Sequence, residues 1–215
     1  MKKLGGTDLE RLFLEDSQWA NKTDIPGVDM ADLIARHKGR YALCGLFLRP
    51  GFRFLDFPCG SGYASELLAP WEPDYYGQDL DETSVIHAAQ TYAKFGVFNV
   101  GDLMQPDLPA LFFNTIACIE GLEHIEQKYQ APLISAFWKA LKPGGTLIVS
   151  SPEAEVSGPN PDNPFHLWEL SRADFAELLQ DEFGDDLDWE VEIISHTATL
   201  STGKKQTCLY AVCHK

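Results

Sequence analysis

The pattern of apolar and polar positions changes character near residue 50. Before it, the spacing is helical. Leu9, Leu12 and Phe13 follow a Thr7–Glu10 pair of the capping-box kind. A second helical stretch runs from about Asp29 through Leu33, Ile34, His37, Tyr41 and Cys44 and stops near Pro50. After it, short apolar runs alternate with amphipathic segments. RFLDF (53–57), DYYGQDL (74–80), VFNV (97–100), LFFNTIACI (111–119) and TLIVSSP (146–152) read as buried strands. The intervening helices are predicted at 61–69, stopped by Pro70, and from an Asp81 cap through Val85, Ile86, Ala89 and Tyr92 to Gly96. Another covers about 129–141, with Leu133, Ile134, Phe137, Trp138 and Leu141 on one face, before a KPGG turn (142–145). Ser171 with Asp174 caps a last helix bearing Phe175, Leu178, Leu179 and Phe183, ended by Gly184. DWEVEIISHTATL, the turn STGKK and QTCLYAVCHK then form a hairpin.

Strands alternating with helices imply a parallel sheet covered on both faces. The fold expected is therefore α/β, a three-layer doubly wound Rossmann-like sheet, mostly parallel, with an antiparallel C-terminal hairpin strand. Such sheets bind ligands beyond the carboxyl ends of their strands, where the strand order reverses. The 215 residues, 45% hydrophobic, suffice for one core and are short for two. Residues 1–50 are expected to form a helical cap and 51–215 the core of a single domain. No repeat or linker interrupts it.

Composition narrows the partners. Aromatic residues make up 12% of the chain, which argues for a packed core rather than disorder. A net charge of −15 with no dense Lys/Arg run counts weakly against a nucleic-acid substrate. Cys44, Cys59, Cys118, Cys208 and Cys213 are odd in number and form no C-x-x-C pair, so reduced, buried thiols are expected. No apolar run reaches the ~18–20 residues of a membrane span. The start MKKLGGTDLERLFLED turns acidic and amphipathic, unlike a signal peptide, so a cytoplasmic location is expected.

The candidate chemistry begins after the first strand, at LDFPCGSGY (55–63). Gly60 and Gly62 allow a tight strand-to-helix turn with bare backbone close to a ligand. A dinucleotide fingerprint G-x-G-x-x-G would place glycine or alanine where Ser65 stands, which weakens a nicotinamide-binding reading. Asp79 follows Asp56 by 23 residues, near the ~20-residue spacing of a carboxylate that accepts ribose hydroxyls. Asp102, in VGDL after the third strand, stands where an adenine amino group would lie. Three strand ends thus each present an acid.

LDFPCGSGY, YYGQDLD, VGDL, IEGLEHI and LKPGGTLIVSSP occur in the order and spacing of class I S-adenosylmethionine-dependent methyltransferases, and the resemblance covers roughly residues 37–183. It implies that the Asp56–Tyr63 loop, with Cys59, Gly60, Gly62 and Tyr63, holds the methionine moiety. Asp79 with Leu80 would bind ribose, Asp102 with Leu103 the adenine, and Glu120 would edge the site beyond the fourth strand. Arg40 would pair with the methionine carboxylate, the competing reading being a surface arginine. Pro58 departs from the family, in which many members carry glycine or alanine there. It removes an N–H donor and fixes φ.

On the acceptor side, Glu120 and Glu123 at i, i+3, with His124, could converge with His166 on a divalent ion such as Mg²⁺, Mn²⁺ or Zn²⁺. The pattern resembles the E-x-x-E-H metal motif of ubiquinone-pathway O-methyltransferases. It also resembles that of small-RNA 3′-end 2′-O-methyltransferases, whose extra histidine falls near FHLWELSRADF. The alternative is that L-E-H only shapes the loop, as it commonly does in this superfamily. Without a metal, His124 or His166 would be the candidate catalytic base. SPEAEVSGPNPDNPFHLWEL (151–170) is a long loop of the kind that usually carries function. Phe165, His166 and Trp168 would line the acceptor pocket. Its N-P-F-H segment resembles methyltransferases encoded near cell-envelope sugar and lipid genes. The expected activity is methylation of an oxygen on a small metabolite or glycan. Two alternatives stand beside it: a metal-assisted nucleic-acid 2′-O-methyltransferase, and a catalytically silent cofactor-binding module.

Overall fold

The computed structural model describes residues 30–183, 191–199 and 205–215. The Thr7–Glu10 capping box, the helix after it, the Gly184 stop and most of the STGKK turn lie outside the described residues. Helix α1 (Met30–Gly45) leads into β1 (Arg53–Asp56), α2 (Ala64–Leu68), β2 (Asp74–Asp79), α3 (Glu82–Thr91) and β3 (Gly96–Val100). There follow β4 (Phe113–Ile119), α4 (Gln127–Ala140), β5 (Leu141–Pro152), α5 (Arg172–Phe183), β6 (Val191–Thr199) and β7 (Lys205–His214).

The strands form one sheet in the order β3-β2-β1-β4-β5-β7-β6. Strands β1 to β5 are mutually parallel, and β7 runs antiparallel to both β5 and β6. The chain steps outward from β1 to β3 and then returns to β4 on the other side of β1. The order therefore reverses between β1 and β4, which opens a crevice at their carboxyl ends.

The two-residue period of the strands sorts their side chains onto two cores. Leu55, Phe57, Ile116, Cys118, Leu147 and Val149 join Leu133, Ile134 and Phe137 of α4 and Phe175 and Leu179 of α5. The alternate positions Phe54, Ala117, Ile119 and Ile148 join Tyr41 and Cys44 of α1, Leu68 of α2, and Val85 and Ala88 of α3. Helices thus cover both faces and make three layers. Each fully buried Leu, Ile or Phe contributes roughly 1.5–3 kcal/mol. All five cysteines are buried thiols. Among the described residues, no helix is long and apolar enough to cross a membrane.

Local differences from the sequence expectation have physical causes. The helix expected from residue 61 starts at Ala64, because Gly62 adopts a φ of +83° that no right-handed helix accommodates. Pro70 does not stop the chain's winding but sits inside a 3₁₀ turn, Ala69–Trp71. Asp81 caps α3 as expected, its carboxylate accepting from the Ser84 N–H at 3.2 Å. That helix ends at Thr91, and Gly96 opens β3 instead of closing the helix. Helix α4 starts at Gln127, so Pro132 lies inside it. KPGG belongs to β5 as a bulge: Leu141 pairs with Phe113 and Thr146 with Thr115. The C-terminal Lys215 clamps the bulge, its carbonyl accepting from Gly144 N–H and its N–H donating to Gly145 O.

Candidate active site

At the end of β1, Asp56 points into the protein. It is fully buried, and its oxygens accept from the Tyr41 hydroxyl of α1 at 3.1 Å and the Tyr75 hydroxyl of β2 at 2.5 Å. Burial pushes its carboxyl up to about 7; the two phenol donors work against this, and the neighbouring Asp79 adds to it. The chain then turns through Gly60 (φ +54°) and Gly62 (φ +83°). Pro58 packs against Gly121 beyond β4, where a Cβ would come within 2.4 Å of Pro58 Cδ. The departure at Pro58 is thus matched by a glycine on the facing segment.

Asp79 fastens this turn to β2. It is fully buried, with Oδ2 accepting from Gly60 N–H and Oδ1 from Asp81 N–H, both at 2.9 Å. Cys59 N–H adds a bond to Gln78 O at 2.8 Å. In register with Asp79 is Val100, and the side chains of Val100 and Leu80 are 55% and 51% exposed. Asp102 accepts from Met104 N–H at 2.8 Å, while the side chain of Leu103 is buried in the core. Helix α1 covers the glycine turn: His37 Nδ1 meets the Tyr63 hydroxyl at 2.7 Å, and Tyr41 packs edge-on to Tyr63.

Beyond β4, Glu120 adopts a φ of +50°, a region that a side chain rarely enters. Its Oε1 accepts from Ser150 Oγ at 2.9 Å, and its Oε2 pairs with Arg40 Nη2 at 3.0 Å. Arg40 is no surface arginine. It is 4% exposed and also donates to the Tyr210 hydroxyl and to Cys208 Sγ. Burial works against its charge, but Glu120, Cys208 and Tyr210 outweigh that and hold the guanidinium above its ordinary pKa.

The next three residues, Leu122–His124, form a 3₁₀ turn. Because Glu120 and Gly121 precede it in non-helical conformations, Glu120 and Glu123 do not share a helical face. The expected four-residue group is therefore reduced. Glu123, His124 and His166 bring ligand atoms within 4.8 Å of one another, while Glu120 is turned to Arg40 and Ser150. Glu123 is buried, and its Oε2 has no hydrogen-bond partner among the described residues. Burial first, and then Glu120, raises its carboxyl well above the ordinary range. The His124 and His166 rings meet edge-on at 5.1 Å between centroids. His124 Nδ1 contacts the Phe165 carbonyl at 2.9 Å, and His166 Nδ1 contacts Glu169 Oε1 at 2.5 Å.

The 151–170 segment that brings His166 here is tied down along its length. Gly158 and Glu169 exchange two backbone bonds at 2.9 Å, and Ala154 N–H donates to Leu170 O at 3.0 Å. Trp168 N–H donates to Glu123 O at 3.2 Å. The buried Gln130 amide on α4 donates to both Leu122 O and Trp168 O, which joins the two segments.

A family model described as a methyltransferase domain matches residues 22–189. The chain belongs to that family. It thereby falls in the class I S-adenosylmethionine-dependent methyltransferase superfamily, as the motifs implied. It is similar to a Mycolicibacterium smegmatis protein named a probable S-adenosylmethionine-dependent methyltransferase, with 33% identity over 129 residues, covering 59% of this chain and 49% of the other. It is also 32% identical over 111 residues to the ubiquinone biosynthesis O-methyltransferase of Idiomarina loihiensis, covering 50% and 44%. The chain spans about half the length of the curated relatives it matches. A crystal structure of a methyltransferase from Methanosarcina mazei shares the fold, with a TM-score of 0.65 and 17% identity over 80% of this chain and 96% of that one.

Within this methyltransferase domain, the glycine turn, Asp79, Leu80, Asp102, Arg40 and Glu120 all lie on segments at or covering the carboxyl ends of β1 to β4. His124 and His166 come together from segments 42 residues apart in sequence. Sequence reasoning missed Tyr41 and Tyr75 around Asp56, Ser150 and Tyr210 around the Arg40–Glu120 pair, and Glu169 with Asn160 behind His166. Only Glu169 carried a signal, since it stands three residues from His166 in a loop already suspected of function.

Proposed function

We propose that this methyltransferase domain moves the sulfonium methyl of S-adenosylmethionine to an oxygen of a small metabolite or glycan. The observation that carries this reading is the clustering of Glu123, His124 and His166 beyond β4, the strand adjacent to β1 and its glycine turn. The cofactor, when bound, supplies a methyl already activated on positive sulfur, so the protein's task is to position and to manage one proton.

The residues present fit that cofactor. Asp79 accepts two backbone amides, and a carboxylate offers about four lone-pair directions, so ribose hydroxyls can donate to it as well. The half-exposed Leu80 and Val100 beside it suit the face of a base, with Asp102 for the adenine amino group. Leu103, its side chain in the core, would contribute backbone. Arg40, Glu120 and the Asp56–Tyr63 turn, including Cys59, Gly60 and Gly62, would hold the methionine end. Asp56 acts there through Tyr41 and Tyr75 rather than by direct contact.

The acceptor would lie against the 151–170 segment. Trp168 Nε1 and Glu123 Oε2 are both buried without hydrogen-bond partners among the described residues, a donor and an acceptor on segments joined by a backbone bond. His166 or His124 takes the hydroxyl proton as the C–O bond forms and the C–S bond breaks. Glu123, His124 and His166 also have the donor chemistry to hold Mg²⁺ or Mn²⁺, which would lower the hydroxyl's pKa. The five buried thiols support a cytoplasmic setting.

The test is S-adenosylhomocysteine release from S-adenosylmethionine over a panel of hydroxylated metabolites and glycans, with and without EDTA. Turnover that falls at least ~100-fold in His166→Ala supports the reading. Turnover confined to amine acceptors, or turnover indifferent to both histidines, contradicts it. EDTA-insensitive turnover removes the metal.

A further inference from the structure

Behind the histidine pair stands a carboxylate that the methyl-transfer reading does not use. Glu169 is 9% exposed, its backbone is fixed by the paired bonds with Gly158, and its Oε1 receives both Asn160 Nδ2–H at 2.8 Å and His166 Nδ1 at 2.5 Å. Asn160 is itself anchored, because its N–H donates to His166 O and its side-chain oxygen caps Asp162 and Asn163.

We infer that Glu169, held by Asn160, is a positioning residue that fixes which nitrogen of His166 carries the proton. A carboxylate accepts only, so Nδ1 must be the protonated nitrogen, and in the neutral ring the lone pair then resides on Nε2. The Phe165 carbonyl imposes the same choice on His124. Both imidazoles of the cluster are thereby set to one tautomer by acceptors outside it, the arrangement in which a carboxylate or carbonyl behind a histidine orients the ring and raises its donor strength. An Nε2 lone pair is what either a proton acceptor or a cation ligand requires. The inference thus rests on the proposed role of His166, but its test does not.

Long-range ¹H–¹⁵N spectra of the histidines read the tautomer directly in the full chain, without acceptor or metal. His166 in the wild type is expected as the Nδ1–H form, shifting toward Nε2–H in Glu169→Leu. In Glu169→Gln the tautomer should persist, because Asn160 still holds the amide oxygen toward the ring. The wild-type spectrum keeps the test open if the leucine variant fails to fold. Wild-type His166 in the Nε2–H form, or a tautomer unchanged by Glu169→Leu, overturns the inference. Calorimetry with Mn²⁺ alone adds a second readout: wherever the wild type binds, affinity should fall 10–100-fold in Glu169→Leu, and an unchanged affinity counts against the inference. Absence of Mn²⁺ binding to the wild type retires the metal reading and leaves the spectra to decide.

Discussion

Replacing Arg40 with methionine strips one partner from a buried ion pair while keeping most of the side chain's volume. The pair is closed at 3.0 Å, with exposures of 4% for Arg40 and 16% for Glu120. At an effective dielectric constant of about 20, charges that close attract by roughly 5 kcal/mol. Desolvation offsets much of this in the intact pair, but removing one partner leaves the other charge stranded, which typically costs about 3–5 kcal/mol. Glu120 keeps its Ser150 hydrogen bond and some contact with solvent, so the lower end applies, about 3 kcal/mol. With a urea m-value of about 2–3 kcal/mol/M, the midpoint of unfolding should drop by about 1–1.5 M. The double variant Arg40→Met, Glu120→Gln removes the stranded charge and should regain at least half the loss. A single-variant loss below about 1 kcal/mol, or a double variant no more stable than the single, would refute the stranded-charge reasoning.

Three further outcomes follow from the same geometry. Asp56 has a folded-state pKa of about 7 against an ordinary 3.8, so between these values the folded state holds a proton that the unfolded state has lost. Its contribution to stability is therefore full below about pH 4 and lost as pH rises through 7, up to roughly 4 kcal/mol across the window. Asp56→Asn should flatten that decline in urea titrations at pH 4 to 8, and an unchanged slope would count against the raised pKa. Gly121→Ala drives a Cβ to within 2.4 Å of Pro58 Cδ and should cost about 1–3 kcal/mol by thermal unfolding, with Pro58→Ala recovering the loss in the same background. Finally, Mn²⁺ at 100 times its dissociation constant should stabilise the wild type by about 2.7 kcal/mol, and raise Tm by several degrees, but do neither in Glu123→Gln. Equal shifts in the two proteins would place the ion elsewhere.

The parts of this site that were legible in the sequence obey local grammar. A buried strand, a glycine turn and an acid recur at β1 and β2, so Asp56, Gly60, Gly62 and Asp79 could be placed from period and spacing alone. The alternation of strands with helices likewise implied three layers, and both cores follow the two-residue period. What escaped depends on space rather than order. Arg40 and Glu120 are 80 residues apart, and their pairing needs α1 laid across the end of β4. Tyr41 reads only as a position on the first helix and Tyr75 as one on a buried strand, and their shared partner Asp56 appears once α1 and β2 are packed against β1. The fit of Gly121 to Pro58 is a steric complement that no pattern announces. The i, i+3 spacing of Glu120 and Glu123 misled, since it presumes a helix that the positive φ of Glu120 interrupts. Glu169 lies in a Pro- and Asn-rich stretch with no period to read.

The claim beneath all of this is that an adenosyl group lies across the ends of β1 to β3 with its ribose on Asp79. Calorimetry with S-adenosylhomocysteine on the wild type and on Asp79→Ala tests it most directly, with NAD as the competing ligand. Micromolar binding of S-adenosylhomocysteine is expected, with a loss of at least ~100-fold in the variant from two charge-assisted hydrogen bonds, and no binding of NAD. Equal affinity of the two proteins for S-adenosylhomocysteine, or a preference for the dinucleotide, would contradict it.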